Sequence, residues 1–168
     1  WSSDLNIIRF GGTILKTGRS EAFRTEKGMR TAFSVLQKAG IDGVVAIGGD
    51  GTFSGANQFS GKYDIPFIGI PATIDNDMYG TDFAIGYDSA INTVVEAVDK
   101  IRDTAEAHNR LFIVEVMGRD AGFIALRSGI AVGAEAVLVP ETDTHIDSLI
   151  ALLERGWQRQ KSGYVIIV

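Results

Sequence analysis

The chain has 168 residues, enough for one domain or a large part of one; 45% are hydrophobic and 22% charged, so it can bury a core. A net charge of −5 argues against nucleic-acid and anionic-membrane partners, which need a basic face, and the absence of cysteine excludes a disulfide scaffold and thiolate chemistry. No apolar run approaches the roughly 20 residues of a membrane span and no signal sequence is visible, so the cytoplasm is the expected compartment.

Residues 1–20 are the least regular, and Gly11-Gly12-Thr13 within them reads as a loop. Arg24 to Ala39 reads as a helix stopped by Gly40. Gly43 to Ile47 and Pro66 to Ile70 read as strands. A long helix follows, with Ile91, Val94, Val95, Val98 and Ile101 on one stripe and Asp88 or Ser89 as its N-cap. Leu111 to Val116 and Ala136 to Val139 are further strands. A helix carrying Leu149, Leu153 and Trp157 is expected next, capped by Asp147, and then a strand from Tyr164 to Val168.

Near-continuous apolar strands alternating with helices predict an α/β fold: a doubly wound, mainly parallel sheet in a three-layer αβα arrangement, both faces covered. No repeat or linker is visible. The chain starts at Trp1 instead of Met and stops inside an apolar strand at Val168, so a piece truncated at both ends is expected.

In open α/β sheets, ligands bind outside the carboxyl ends of strands, and three strands here lead into unusual polar sequences. Gly48-Gly49-Asp50-Gly51-Thr52 opens a helix. Its glycines let backbone N–H groups approach phosphate, and Asp50 offers the hard oxygen Mg²⁺ wants; otherwise it is a tight strand-to-helix turn. It is neither the P-loop nor the dinucleotide fingerprint. In Pro71-Ala72-Thr73-Ile74-Asp75-Asn76-Asp77, an extended backbone would put Thr73, Asp75 and Asp77 on one side, with one carboxylate placed as a general base. The competing reading is an Asx-type turn. Met117-Gly118-Arg119 offers a guanidinium fork to phosphate, or else a solvated arginine at a strand end. His108 and His145 have no partner at metal-ligand or triad spacing and read as structural or surface residues.

Taken together, these motifs resemble the phosphofructokinase family, along with Gly11-Gly12-Thr13 and Arg19, His108-Asn109-Arg110 and Val139-Pro140-Glu141. The resemblance runs through essentially the whole chain in order. It implies phosphoryl transfer from ATP to the 1-hydroxyl of fructose 6-phosphate. Asp75 matches the catalytic base, and Thr73 and Asp77 match residues holding the sugar and the moving phosphoryl group. Asp50 matches the carboxylate that positions Mg²⁺, while Gly49, Gly51 and Thr52 match the lining of the nucleotide phosphates. Arg19 matches an arginine reaching the phosphates in the transition state, and Arg24 one nearer the nucleotide. Met117, Gly118 and Arg119 match the sugar-phosphate site. Arg110 matches an arginine that enters a neighbouring subunit's site, which implies a homotetramer. Arg102, Gly133, Glu135 and Arg159 match an effector site for a nucleotide diphosphate; as residues alone, Arg102 and Glu135 are equally ordinary surface charges.

The resemblance covers a partial catalytic region, residues 1–168: the nucleotide-side domain running into the start of a second domain. A first strand with its own glycine-rich turn and the second domain's sugar-phosphate contacts are not in it, so the chain alone is expected to be inactive. Ala72 stands where ATP-using members have Gly and diphosphate-using members have Lys, so the choice of donor rests on Gly51. The alternatives are a pyrophosphate-dependent phosphofructokinase, or an NAD-kinase-like or diacylglycerol-kinase-like enzyme sharing the Gly-Gly-Asp-Gly-Thr turn.

Overall fold

A computed structural model of the chain describes residues 11–14, 16–158 and 164–168. The chain divides into two compact units, Trp1–Val44 with Asn57–Phe67, and Val45–Ala56 with Ile68–Val168. Five helices, α1 (Glu26–Lys38), α2 (Asp50–Tyr63), α3 (Tyr87–His108), α4 (Phe123–Ala131) and α5 (Ile146–Gln158), alternate with five strands among the described residues. The strands are β1 (Val44–Gly48), β2 (Phe67–Pro71), β3 (Leu111–Val114), β4 (Ala136–Val137) and β5 (Tyr164–Ile167). The α/β class read from the sequence is the class observed.

In the first unit a 3-10 turn at Ala22–Arg24 precedes α1. The expected helix start at Arg24 moves to Glu26 because Thr25 caps it: its hydroxyl accepts from the Gly28 N–H at 3.1 Å and donates to the Ala22 carbonyl at 2.8 Å. The helix ends as the sequence indicates. Gly40 takes φ 64°, its N–H reaches the Gln37 carbonyl, and the Ile41 N–H reaches that of Leu36, the paired bonds of a Schellman ending. The unit's core is aromatic: Phe59, 1% exposed, lies 5.4 Å from Phe23, 5.0 Å from Tyr63 and 5.9 Å from Phe67 between ring centres.

In the second unit β3, β5 and β4 form a parallel sheet in that order, with Ile113 and Ala136 both opposite Ile166. Beyond the strands, Val116 donates to Val168 and Leu138 to Ile167, so pairing runs nearly as far as the apolar runs suggest. Val98 of α3, Ala125 of α4, Val132, Val165 and Ile167 form its core, with Val94 and Val95 packed against it.

β1 and β2 make a separate two-stranded sheet running in one direction, Val44 bonding to Pro66 at one end and Ala72 to Gly48 at the other. Gly69 in β2 leaves the space that the Phe53 ring of α2 occupies. The expectation that both sheet faces are covered fails here. Val45 and Ile47 of β1, Ile68 of β2 and Ile113 of β3 are all more than half exposed, since no described element packs on their side.

Two helix starts also differ from expectation. α3 begins at Tyr87 after Gly86, which takes φ 101° as N-cap; Asp88 and Ser89 both lie inside the first turn. The start is set by tertiary packing, because Tyr87 is 1% exposed and its hydroxyl donates to the Phe123 carbonyl at 3.2 Å. Asp147 likewise falls within the first turn of α5 and does not precede it. Among the described residues no helix is long and apolar enough to cross a membrane.

Candidate active site

The three polar sequences sit at the carboxyl ends of parallel strands of the second unit. After β1 the chain turns at Gly49 directly into α2, and the Thr52 and Phe53 N–H groups fold back onto the Gly49 carbonyl at 3.0 and 3.2 Å. The first N–H groups of a helix have no partner inside it, so this end presents a positive dipole and free donors. Asp50 and Gly51 are exposed on it, and a Cβ built on Gly51 would meet nothing within 4 Å. Gly49 is close-packed instead: a Cβ there would lie 3.3 Å from that of Thr73. With the Ala72 N–H to Gly48 carbonyl bond, this joins the glycine turn to the segment after β2.

That segment is not extended. The Thr73 hydroxyl accepts the Asp75 N–H at 3.2 Å, a bend follows at Ile74 and Asp75, and Asn76 takes φ 53°. The alternation that would have put Thr73, Asp75 and Asp77 on one side therefore does not apply; side-chain oxygens have captured the local backbone, as in the turn reading. Asp75 remains half-buried. Asp77 accepts from the Arg119 guanidinium at 2.8 Å, joining the second segment to the third.

Arg119 owes its direction to the backbone. Gly118 takes φ 154° and Arg119 itself φ 56°, a left-handed conformation that costs a side chain roughly 1–2 kcal/mol. The Ala121 N–H closes the turn onto the Gly118 carbonyl at 3.0 Å. Behind it, a cavity of about 340 Å³ opens at the ends of β3, β4 and β5, lined by Glu115, Met117, Gly118, Arg119, Val139 and Val168 among others. Met117 is 74% exposed. Glu141 borders this region, where its carboxylate accepts the Gly122 N–H at 2.8 Å at the start of α4, a bond that the sequence did not reveal.

The other residues singled out lie elsewhere. Arg19 is exposed in the first unit, and Arg24, also there, pairs with Glu21 at 3.5 Å. Arg110 precedes β3, at the amino end of the strand whose carboxyl end leads to Arg119. At about 3.3 Å of rise per residue, the strand separates Arg110 from its own chain's cavity. Arg102 and Glu135 reach backbone: the Arg102 guanidinium donates to the Val132 carbonyl, and Glu135 accepts the Val165 N–H at 2.8 Å. Gly133, at φ 61°, lies between these contacts with open space around it. Arg159 is outside the described residues.

Mg²⁺ fits this donor set. It is usually held by one or two carboxylates together with substrate phosphates, and Asp50 is a single exposed carboxylate in the first turn of α2. Among the described residues no group of three acidic or histidine side chains forms a cage of its own.

Comparison with known proteins accords with this arrangement. A family model described as phosphofructokinase matches residues 1–168. The chain is 56% identical over 163 residues to the ATP-dependent 6-phosphofructokinase of Cytophaga hutchinsonii, covering 97% of this chain and 50% of that protein. It is 53% identical, with the same coverage, to ATP-dependent 6-phosphofructokinase 2 of Bacteroides thetaiotaomicron. The chain thus spans about half the length of the curated relatives it matches. Among solved structures, a phosphofructokinase from Saccharomyces cerevisiae matches with a TM-score of 0.87 at 32% identity, covering 94% of this chain and 24% of that one. A pyrophosphate-dependent phosphofructokinase from Marinobacter aquaeolei has a TM-score of 0.74 at 24% identity, covering 93% of this chain and 42% of the other, and shares the fold. With the family match extending from the first residue to the last, and the glycine turn, the carboxylate segment and Arg119 joined in one region, the chain belongs to the phosphofructokinase family.

Proposed function

We propose that the chain is the nucleotide-side region, running into the start of a second domain, of an ATP-dependent 6-phosphofructokinase. The reaction is transfer of the γ-phosphoryl group of ATP to the 1-hydroxyl of fructose 6-phosphate, giving fructose 1,6-bisphosphate and ADP. The observation that carries this reading is the run of contacts from Gly48 and Gly49 through Ala72 and Thr73, and from Asp77 to Arg119. It links the start of α2, the segment that carries Asp75 and Asp77, and the Arg119 guanidinium, which supports this reading. The names of the relatives support ATP as donor, and family membership removes the support for NAD-kinase-like or diacylglycerol-kinase-like alternatives.

In this mechanism the nucleotide phosphates lie on the N-terminus of α2 against Gly49, Gly51 and Thr52, where the helix dipole and the N–H groups of Asp50 and Gly51 favour negative charge. Asp50 would hold Mg²⁺, which supplies charge neutralisation to the phosphates when bound. Thr73 and Asp77 hold the sugar, and Asp75 takes the proton from its 1-hydroxyl. The freed oxygen bonds to the γ-phosphorus as the bond to the bridging oxygen breaks, and that electron pair leaves with ADP. Arg119, with Met117 and Gly118, receives the sugar phosphate. Arg19 and Arg24 serve the phosphates and the nucleotide. Arg110, at the far end of β3 from its own cavity, serves a neighbouring subunit's sugar phosphate, so the working enzyme is an oligomer; we propose a homotetramer, with the cytoplasm as its compartment. A nucleotide diphosphate effector binds at the open surface of Gly133 with Arg102, Glu135 and Arg159; the backbone bonds of Arg102 and Glu135 fix that turn.

A full-length protein carrying this sequence is expected to turn over fructose 6-phosphate with Mg·ATP, and the 168-residue chain alone is expected to be inactive. Asp75→Asn should lower kcat by roughly 10²–10⁴, the usual loss for a general base, with little change in sugar-phosphate binding. A variant that kept more than half its kcat would remove Asp75 from the role.

A further inference from the structure

Residues 72–86, between β2 and α3, form no helix or strand beyond a single bridge from Ala72 to Ile85. A segment of this length inside a domain needs fastening of its own to hold one conformation. At its base the Ile85 N–H donates to the Pro71 carbonyl at 2.9 Å. The second fastening is one side chain: Asn76 donates from Nδ2 to the Asp82 carbonyl at 3.0 Å, and its Oδ1 accepts the Ala84 N–H at 2.8 Å. Ala84 is 6% exposed and lies just before the Gly86 turn into α3. Asn76 itself stands between Asp75 and Asp77 at φ 53°, in the left-handed region and directly after the bend at Ile74 and Asp75.

The position needs a residue that tolerates the left-handed region and carries both a donor and an acceptor one carbon beyond Cβ. Glycine meets the first condition only, and aspartate loses the donor; asparagine meets all of them. We infer that Asn76 is a positioning residue for phosphoryl transfer, its amide tying the turn that carries Asp75 and Asp77 to the entry of α3 and so fixing both carboxylates against the acceptor. This rests on the phosphofructokinase reading above. Release of the clip leaves both carboxylates and the Asp77–Arg119 pair in the chain, so the loss falls on alignment. Misplacement of a reacting group by about 1 Å can cost about 10²-fold in rate.

The test compares Asn76→Gly, which keeps the backbone conformation, and Asn76→Asp, which keeps the acceptor for Ala84, with the unmodified full-length protein. Asn76→Gly should lose hydrogen-exchange protection at the Ala84 amide and lower kcat by about 10–100-fold. KM for ATP, bound at a different turn, should change less than about threefold, and the unfolding midpoint should move by only a few degrees. Asn76→Asp should recover part of both kcat and protection. If Asn76→Gly fails to fold, a several-fold loss of kcat in Asn76→Asp carries the same expectation. Asn76→Gly that exposes Ala84 to exchange yet keeps more than half its kcat overturns the proposal while the family activity stands. An Ala84 amide still protected in that variant overturns it too. An unmodified protein without Mg·ATP-dependent activity overturns the functional reading and this proposal with it, even where Ala84 exchange still reports the clip.

Discussion

Arg119 donates to the Asp77 carboxylate at 2.8 Å and lies 3.6 Å from that of Asp120, so the cation proposed for the sugar phosphate is held by a carboxylate proposed for the sugar. An incoming phosphate would compete with Asp77 for the same guanidinium. The Arg119 side chain is 63% exposed, and pairs of this kind contribute only about 0–1 kcal/mol to stability. Arg119→Met should therefore leave the unfolding free energy within about 1 kcal/mol of the parent. It should lower kcat/KM for fructose 6-phosphate by roughly tenfold to a hundredfold, the value of a hydrogen bond to a charged group. Steady-state kinetics beside a denaturant titration decide it; a large stability loss with kcat/KM intact would make the pair structural only.

Gly51 leaves open space at the start of α2, with nothing within 4 Å of where a Cβ would stand. ATP has an α-phosphate to place against this surface and pyrophosphate does not. Gly51→Asp would put bulk and negative charge there, and should cut kcat/KM for ATP at least tenfold, about 1.4 kcal/mol of barrier. The unmodified full-length protein should be nearly inactive with pyrophosphate. Robust turnover with that donor would reverse the assignment without touching Asp75.

Arg110 follows α3 and precedes β3, exposed, with its backbone N–H bonded to Ala105 at 3.0 Å. Arg110→Ser should raise KM for fructose 6-phosphate and affect kcat less, because a phosphate contact made equally in ground and transition states is lost. Mixing Arg110→Ser with Asp75→Asn subunits should give oligomers in which some sites regain both groups. Absence of any recovered activity in such mixtures would argue against service in trans.

Tyr87 gives a pH-dependent signal. Burial raises its phenol above the ordinary 10.0, with the Asp88 charge adding to the rise and Arg127 opposing it. The folded chain thus resists ionisation that the unfolded chain allows. The contribution is fully present below about pH 10, and falls as pH climbs through the folded value. Tyr87→Phe should cost about 1 kcal/mol at neutral pH through loss of the bond to Phe123, and should lose less stability than the parent above about pH 10. Equal alkaline slopes for the two proteins would refute the assignment.

The sequence was most legible where one local signal decides the structure. Apolar runs located all five strands of the described residues, and Gly40 marked the end of α1, because burial and a left-handed turn are properties of adjacent residues. It was least legible where distant groups decide. The start of α3 follows the burial of Tyr87 beneath Phe123, which overrides the local claims of Asp88 and Ser89 to cap it. The segment from Thr73 to Asp77 was expected to alternate, but Thr73 and Asn76 bind backbone groups and bend it. Asp77 and Arg119 are 42 residues apart, so no spacing rule pairs them, although both were singled out separately.

The two compact units exchange the chain three times, after Val44, Ala56 and Phe67. Neither is a single uninterrupted stretch, so no pair of cuts or choice of new termini frees one of them whole. The piece from Val45 to Ala56 holds the glycine turn and is moored at both ends to residues of the first unit. A truncation series that trims the amino terminus inward past Val44 should thus strip the Asn57–Phe67 segment of its partners before it reaches the glycine turn, and limited proteolysis should release no fragment equal to either unit.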